Sequence, residues 1–215
     1  MNKKLVCTIS FLVYTVAYLG CAGGSKSRVA DSSSSFPGRY ALQWKPVSSD
    51  ANYTVSNFGL YKDVIFGIGE FTDVRDNRPL IGYALKNKMT GEYSAVETGT
   101  DIGNWCGKAI RSSLNILTLR TGDDPSAIYL DGEIQQLTSK EESAFHGAVT
   151  MRISARKGES MLIWEGMISG ESNVPVYSYN SADCSKALSE AVINAVYNLL
   201  METSFEDAVA KSKGR

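Results

Sequence analysis

A change of hydrophobic period along the chain constrains its fold more than any other feature. Between residues 128 and 168, large apolar side chains alternate with polar ones, whereas in residues 104–121 and 183–202 they recur three or four positions apart. Alternation is typical of strands with one buried face, and the wider spacing is typical of amphipathic helices. A chain that carries both patterns buries its apolar surface by packing helices against a sheet.

Two helices are predicted. The first runs from Asn104 to Thr121, with Asn104 as its cap and Gly122 just beyond its end. The second runs from Asp183 to about residue 202, is capped by Asp183 and carries a wide apolar stripe. Residues 206–215 are polar, and we expect them to form a tail that frays.

Strands are predicted before and after the first helix. Asp63 to Val74 forms one strand, and the segments around residues 128–135, 145–156 and 162–168 form three more. Leu162, Trp164 and Ile168 share the inward face of the last strand. Tyr40 to Lys45 alternates as an edge strand would. The stretches 80–85 and 92–96 flank Met-Thr-Gly and are typical of a hairpin.

These elements predict the fold class α+β. We expect a two-layer sandwich in which two parallel helices pack on one face of a mixed β-sheet, with a β-α-β-β-β-α core. Residues 39–205 are long enough for one domain with a complete hydrophobic core. The other face of the sheet is expected to be in contact with water.

The amino terminus has the pattern of an export signal. Lys3 and Lys4 precede an uncharged, largely apolar run from residue 5 to residue 19, and Gly20 and Cys21 follow. A helix needs about 20 apolar residues to cross a bilayer, so this run favours a signal peptide over residues 1–20 that is cleaved. Secretion without an anchor and an uncleaved anchor remain alternatives. Residues 21–38 are rich in Gly and Ser, which predicts a flexible tether.

The residues Tyr18-Leu19-Gly20-Cys21 resemble the lipobox of bacterial lipoproteins. The resemblance implies that a glyceride is attached to Cys21, that the signal is cut just before it, and that the new amino terminus is acylated, with palmitate among the expected chains. Two or more acyl chains hold a protein stably on a membrane. Ala22, where retained lipoproteins carry Asp, implies transport to the outer membrane, facing the periplasm or the cell surface.

The charge of the mature chain argues against nucleic-acid binding. Removal of residues 1–20 takes away two lysines and no acid, which leaves 20 basic and 23 acidic side chains. No basic stripe is visible, so the electrostatic signature of phosphate-backbone binding is missing from the sequence.

A short motif near the first long strand resembles a second family pattern. Phe71-Thr72-Asp73-Val74-Arg75 closes the strand, and Ile81-Gly82-Tyr83 follows. An apolar strand that ends in Asp-x-Arg and precedes Ile-Gly-Tyr resembles the YajG-like family of bacterial lipoproteins, and the order of elements from 62 to 203 agrees with that family. The resemblance implies a location in the cell envelope more than it implies an activity.

Asp73 and Arg75 are the first candidate site residues. They lie two apart on one strand face, and two interpretations stay open. They either bind a polar ligand or partner at the end of the strand, or they hold a turn, with Asp73 bonded to backbone N–H groups and paired with Arg75. The structural interpretation is favoured.

Catalytic and metal sites find little support in the sequence. Gly67-Ile68-Gly69 lies inside a strand and not at a strand-to-helix turn, so close packing of helix on sheet explains it better than nucleotide binding. His146 is the single histidine and falls on the polar face of its strand. With no Cys/His cluster and no relay partners, we expect no enzyme activity, no metal and no cofactor.

Cys106 and Cys184 are a candidate disulfide. Cys7 is lost with the signal and Cys21 is lipidated, so two thiols remain in an oxidising compartment. Each lies near the start of a predicted helix, and parallel helices would bring both to one end of the domain. The alternatives are two buried free thiols, or a redox pair activated by the helix termini.

The sequence predicts an interaction protein. We expect an accessory module of the envelope that is held on the membrane through Cys21 and binds an envelope protein. The alternative is a module that binds a lipid or a glycan between helix layer and sheet. Tyr177 and Tyr179, in the loop before the second helix, are the candidate aromatic contacts.

Overall fold

The computed structural model describes residues 39–47, 55–158, 160–175 and 181–214, without the side chains of 55–57 and 181. The predicted signal, Cys21 and the tether lie outside these residues. Within the described part, a 3-10 helix spans Val55–Tyr61, and seven strands and three helices follow. In chain order they are β1 Ile65–Asp73, β2 Leu80–Asn87, β3 Glu92–Glu97, α1 Ile102–Ile116, β4 Arg120–Thr121, β5 Ile128–Glu141, β6 Ala144–Lys157, β7 Met161–Pro175, α2 Ser181–Met201 and α3 Thr203–Lys213.

The fold is α+β, as predicted, with a mixed sheet that curls into a half-barrel. The strand β5 organises this sheet. One edge of β5 pairs with β6 over its whole length, and β6 pairs in turn with β7, both antiparallel. The other edge is shared by two shorter parallel strands, β1 opposite residues 128–134 and β2 opposite residues 139–140. The predicted hairpin is confirmed as the antiparallel pair β2–β3.

The helices cover the apolar face of the sheet. α1 packs mainly on β1, and α2 packs on β6 and β7. α2 approaches closely because two strand positions lack side chains: a Cβ at Gly147 would lie 2.4 Å from the carbonyl oxygen of Ala187, and one at Gly170 would lie 2.1 Å from that of Ala191. Among the described residues, no helix is both long and apolar enough to span a bilayer.

The first helix differs from its prediction at both ends. Asp101, and not Asn104, is the N-cap, and its carboxylate accepts the Asn104 N–H at 3.0 Å. The helix ends at Ile116 instead of continuing to Thr121, and Thr118 adopts a left-handed φ of 60°. The two-residue strand β4 explains the early end, because it leaves the helix to pair with the start of β1.

Three other predictions are corrected. Residues 40–45 form no strand; Tyr40 makes only an isolated bridge to Thr98. The predicted polar tail is the helix α3, whose Phe205 and Val209 are fully buried. Leu162, predicted to face inward, is 55% exposed. A bulge between β6 and β7 skips Ile163 and turns Leu162 to the outer face of the sheet, the face opposite α1 and α2, beside Arg156.

The two strand glycines at 67 and 69 have a different role from the predicted one. A Cβ at Gly67 would lie 2.4 Å from the Tyr129 ring, and a Cβ at Gly69 would lie 2.1 Å from a carboxylate oxygen of Asp131. Tyr129 and Asp131 are side chains of the neighbouring strand β5, on the outer face of the sheet. The glycines therefore make room for side chains of that strand and not for a helix.

Candidate functional site

Asp73 and Arg75 lie near the point along β5 where its pairing with β1 ends and its pairing with β2 begins. The guanidinium of Arg75 pairs with both carboxylate oxygens of Asp73, at 2.8 and 2.9 Å. It also donates to the carbonyl oxygens of Leu80, Leu137 and Arg78, at 2.7, 3.0 and 2.6 Å. These bonds use all five N–H donors of the guanidinium. Arg75 therefore bridges the break between two strands and has no donor left for a ligand.

The two candidate disulfide cysteines are separate thiols in the structure. Cys106 and Cys184 are both free and fully buried. The Sγ of Cys184 and the Oγ of Ser139 form a hydrogen bond of 3.0 Å. Burial raises the pKa of Cys184 to about 11 and raises the pKa of Cys106 well above its ordinary value. The predicted disulfide is absent, and neither thiol has the low pKa that redox chemistry requires.

Four other residues that the sequence singled out carry less information. Cys21, Tyr177 and Tyr179 lie outside the described residues, so lipidation and the aromatic contact remain predictions. His146 is exposed on the outer face, as its alternation indicates, and its Nε2 lies 4.0 Å from Glu142. Among the described residues, no group of three His, Cys, Asp or Glu side chains is placed to hold a metal ion.

Two adjoining clefts open where β1 meets the start of α1. Their volumes are about 480 and 360 Å³, and both are lined by Glu70, Phe71, Asp101 and Gly103. Arg39 and Arg78 line the first cleft, and Lys108 and Arg111 line the second, which lies between helix and strand. Charges of both signs therefore surround each cleft, which is suited to a polar ligand and not to an acyl chain.

The outer face of the sheet carries a third cleft, of about 320 Å³, across β1, β5, β6 and β7. On its floor, Asp131 forms a bidentate pair with Arg156, at 2.6 and 2.9 Å. Exposed side chains surround that pair, with Glu133 directly opposite Arg152 and Arg152 directly opposite Met167. Met167 is 50% exposed. Charged and large apolar groups thus stand side by side on this face.

Two polar groups on the helix side were not foreseen from the sequence. Ser185 and Ser189 are fully buried within the apolar stripe of α2, where they accept hydrogen bonds from backbone N–H groups of residues 43 and 45. In the sequence, the position of these two serines inside an apolar stripe is the pattern that could have indicated their burial. Glu141 is also fully buried, and one of its carboxylate oxygens has no partner among the described residues.

Burial raises the pKa of Glu141, and the neighbouring Asp183 adds to that effect. The Leu85 N–H, which donates to Glu141 at 3.0 Å, and the charge of Lys88 act in the opposite direction. Asp183 pairs with Lys186 at 2.7 Å but likewise keeps one buried oxygen without a partner among the described residues. Glu141 and Asp183 thus form a pair of buried acids near the start of α2.

Comparison with known proteins finds similarity of fold only. No protein-family model matches the chain, and no curated protein matches it. A Xanthomonas campestris protein of the family DUF330 is 9% identical, with 83% of this chain and 100% of that chain covered and a TM-score of 0.49. PelC from Paraburkholderia phytofirmans, crystallised as a dodecamer, is 10% identical, with coverages of 74% and 92% and a TM-score of 0.35.

A minor lipoprotein from Acinetobacter baumannii is 6% identical, with 71% of this chain and 96% of that chain covered and a TM-score of 0.29. The solved structures that this fold resembles thus include a bacterial lipoprotein.

Proposed function

We propose that this chain is a non-enzymatic accessory module of the bacterial envelope, held on the outer membrane by lipid on Cys21 and related to the YajG-like lipoproteins. The proposed location at the outer membrane rests on the sequence, namely on Tyr18-Leu19-Gly20-Cys21 and the Ala that follows. The partner is an envelope protein. In this proposal the function rests on binding surfaces and not on catalysis.

The proposal includes the two-layer arrangement in which parallel helices α1 and α2 cover one face. The close approach of α2 to Gly147 and Gly170 supports it, as does the packing of α1 on β1. Among the described residues, no helix then lies over the opposite face. Its side chains Arg152, Glu165 and Met167 are exposed on two adjacent strands.

The observation that carries the proposal is this uncovered outer face. Protein interfaces combine apolar and aromatic contact area with Arg and a polar rim. Met167 and Leu162, 50% and 55% exposed, supply the apolar area, while Arg152 and its acidic neighbours supply charge. A face of this composition fits a protein partner better than an acyl chain.

Crosslinking in cells tests the proposal. The full chain with its anchor is crosslinked, purified, and compared with R152E/M167E on the outer face and M201E/K211E on the helix side. The control also replaces one exposed methionine and one exposed cation. We expect a specific envelope protein to be recovered with the wild-type chain and the control, and to be lost with R152E/M167E. Recovery of the bait alone, or equal recovery by both variants, would contradict the proposal.

A ligand-binding role is the second candidate, because the 360 Å³ cleft lies between α1 and β1. Lys108, Arg111 and Glu70 at its lining favour a polar ligand such as a glycan over a lipid. Native mass spectrometry of the chain with Cys21→Ser distinguishes the two, since a ligand bound in this cleft would be lost on K108E/R111E substitution.

A further inference from the structure

The segment Arg39–Val47, which we call the N-terminal strap, lies extended across α2. Its backbone N–H groups at Gln43, Lys45 and Val47 donate in turn to side chains of α2. The acceptors are the Oγ of Ser185 at 3.1 Å, the Oγ of Ser189 at 2.9 Å and the Oε1 of Glu190 at 2.5 Å. A helix surface therefore receives an extended chain in the way that a neighbouring strand normally would.

Geometry explains how a helix can do this. Four residues of α-helix rise about 6 Å, and two residues of extended chain advance about 6.6 Å. Side chains at i and i+4 of α2 therefore match the N–H groups of alternate strap residues. Ser189 is held in place by its own bond to the Ser185 carbonyl oxygen, at 2.7 Å, and Ser185 Oγ also contacts the Tyr40 hydroxyl, at 2.7 Å.

The strap's side chains alternate in the same register. Leu42 is 5% exposed and belongs to the hydrophobic core, and Trp44 packs against Trp105 of α1 with ring centroids 6.2 Å apart. Gln43 and Lys45, between them, are exposed. The groove between α1 and α2 thus recognises a large apolar side chain at every second position and backbone N–H groups at the positions between.

One donor in this groove is left unsatisfied by the strap. Nε1 of Trp105 is buried and has no hydrogen-bond partner among the described residues, although the ring touches Trp44. A buried donor without a partner destabilises the state that contains it. A peptide with a carbonyl group at this place would complete the set of contacts that the strap leaves incomplete.

We infer that the groove between α1 and α2 is a binding site for an extended polypeptide with large apolar side chains at alternate positions, and that the strap occupies it as an intramolecular competitor. Ser185, Ser189 and Glu190 bind the backbone of the ligand, and Trp105 contacts its apolar side chain. This inference goes beyond the proposed function, because it assigns a second ligand class to a surface on the helix side of the sheet.

The strap is suited to displacement. Apart from the bond from the Tyr40 N–H to the Glu97 carbonyl oxygen, at 2.8 Å, the strap is attached through side chains and not through a backbone ladder. These side chains include Thr100, which accepts the Leu42 N–H at 2.9 Å, and Thr98, which donates to the Tyr40 carbonyl oxygen at 2.6 Å. Fixing nine residues in an extended conformation is opposed by backbone entropy. Segments with few backbone bonds open locally without global unfolding.

A peptide-binding experiment tests the inference on the chain with Cys21→Ser. The probe is a fluorescein-labelled synthetic peptide with the sequence of residues 39–47, and binding is followed by fluorescence anisotropy. We expect weak binding to the otherwise unaltered chain and binding at least about tenfold tighter to L42A/W44A, because freeing the groove removes the competitor. The control Q43A/K45A alters only exposed side chains and should behave like the unaltered chain.

Two further measurements separate the possible outcomes. Adding Ser189→Ala to L42A/W44A should weaken peptide binding, and a peptide with Asp in place of Leu and Trp should not bind. Hydrogen exchange of the unaltered chain should show the amides of Gln43, Lys45 and Val47 exchanging faster than those of β6. A folded L42A/W44A that binds no peptide, or strap amides as protected as those of β6, would overturn the inference and leave the test of the outer face unaffected.

Discussion

At the scale of single residues, Arg75 shows what the Asp-x-Arg motif accomplishes. Its side chain is 7% exposed and joins Asp73 to three backbone carbonyl groups at the break between β1 and β2. The sequence indicated the pairing with Asp73, because the two residues share one strand face. It did not indicate the three carbonyl groups, which come from residues 78, 80 and 137 only after the sheet is assembled.

Replacing Arg75 by Ala should destabilise the protein by about 3 kcal/mol, since removing one partner leaves the other charge buried without compensation. The stability of Arg75→Lys should lie between those of the wild-type chain and Arg75→Ala, because a lysine ammonium keeps the charge but cannot reproduce the planar fork of the guanidinium. Urea unfolding measures both changes. Arg78→Ala is the matched control, as its exposed side chain is removed and its carbonyl acceptor is retained. A change below about 1 kcal/mol for Arg75→Ala would contradict this role.

The buried Glu141 should make the stability of the protein depend on pH. Its pKa in the folded protein is raised above the ordinary value of 4.5, chiefly by burial. The folded state therefore binds a proton more tightly than the unfolded state does, and stability falls as pH rises from about 4.5 through the raised pKa. We expect Glu141→Gln, which stays neutral, to remove this loss and to be more stable than the wild-type chain at pH 7.

The measurement is the unfolding midpoint of wild type and variant from pH 4 to pH 8. Glu142→Gln is a control of opposite sign, because a hydrogen bond from Lys140 lowers the pKa of Glu142 and its contribution is lost as pH falls. A Glu141→Gln curve parallel to that of the wild-type chain would show that Glu141 does not titrate differently in the two states.

At the scale of elements, α2 protects the edge of β7. The side-chain amides of Asn194 and Asn198 donate to the carbonyl oxygens of Glu171 and Ser169, at 2.6 and 2.9 Å. In the described part of the sheet, β7 pairs only with β6. An open edge strand is a template for pairing with another chain, and covering it prevents that association.

The double substitution N194A/N198A should expose this edge. We expect a loss of about 1 kcal/mol per hydrogen bond and, more diagnostically, self-association that rises with concentration. Size-exclusion chromatography with light scattering measures it. Asn173→Ala, an exposed asparagine on the same strand, is the control. A double variant that stays monomeric at every concentration would show that α2 is not needed to protect the edge.

The helix α3 shows how an element escapes a sequence pattern. Residues 206–215 are mostly polar, yet residues 206–213 belong to the helix α3, which begins at Thr203. Phe205 of this helix is fully buried and lies between the rings of Tyr61 and Trp164, at 6.0 and 5.2 Å. Phe205→Ala should therefore cost about 3–5 kcal/mol of stability. Asp207→Ala, on an exposed position of the same helix, should change it by less than about 0.5 kcal/mol. Equal effects in thermal unfolding would mean that α3 adds nothing to the core.

At the scale of the whole molecule, we expect membrane anchoring and folding to depend on different parts of the chain. All residues of the described hydrophobic core lie at or after Leu42, whereas the lipidation prediction rests on Cys21. Cys21→Ser should move the protein from the membrane to the soluble fraction without changing its unfolding midpoint. Fractionation and calorimetry test this, with Ser25→Ala as control. A variant that stays with membranes would contradict lipid anchoring.

Local spacing along the chain was enough to predict the periods of its elements, and hence the α+β class, the strand β1, the hairpin β2–β3 and the alternating faces of β5 and β6. These follow from local spacing, which needs no knowledge of a partner. The strap shows the limit of such reasoning: alternation predicted an edge strand over residues 40–45, but the segment lies against the helix α2 and not beside a strand, and Leu42 is buried there.

Which side chains come into contact depends on how the elements pack in three dimensions. The bulge that turns Leu162 outward depends on strand register, and so does the burial of Glu141. That Cys106 and Cys184 are two free, buried thiols depends on how the helices pack, and the bonds of Arg75 depend on two strands sharing one edge of β5. Such contacts join residues far apart in the chain, and no local pattern encodes the distance between them.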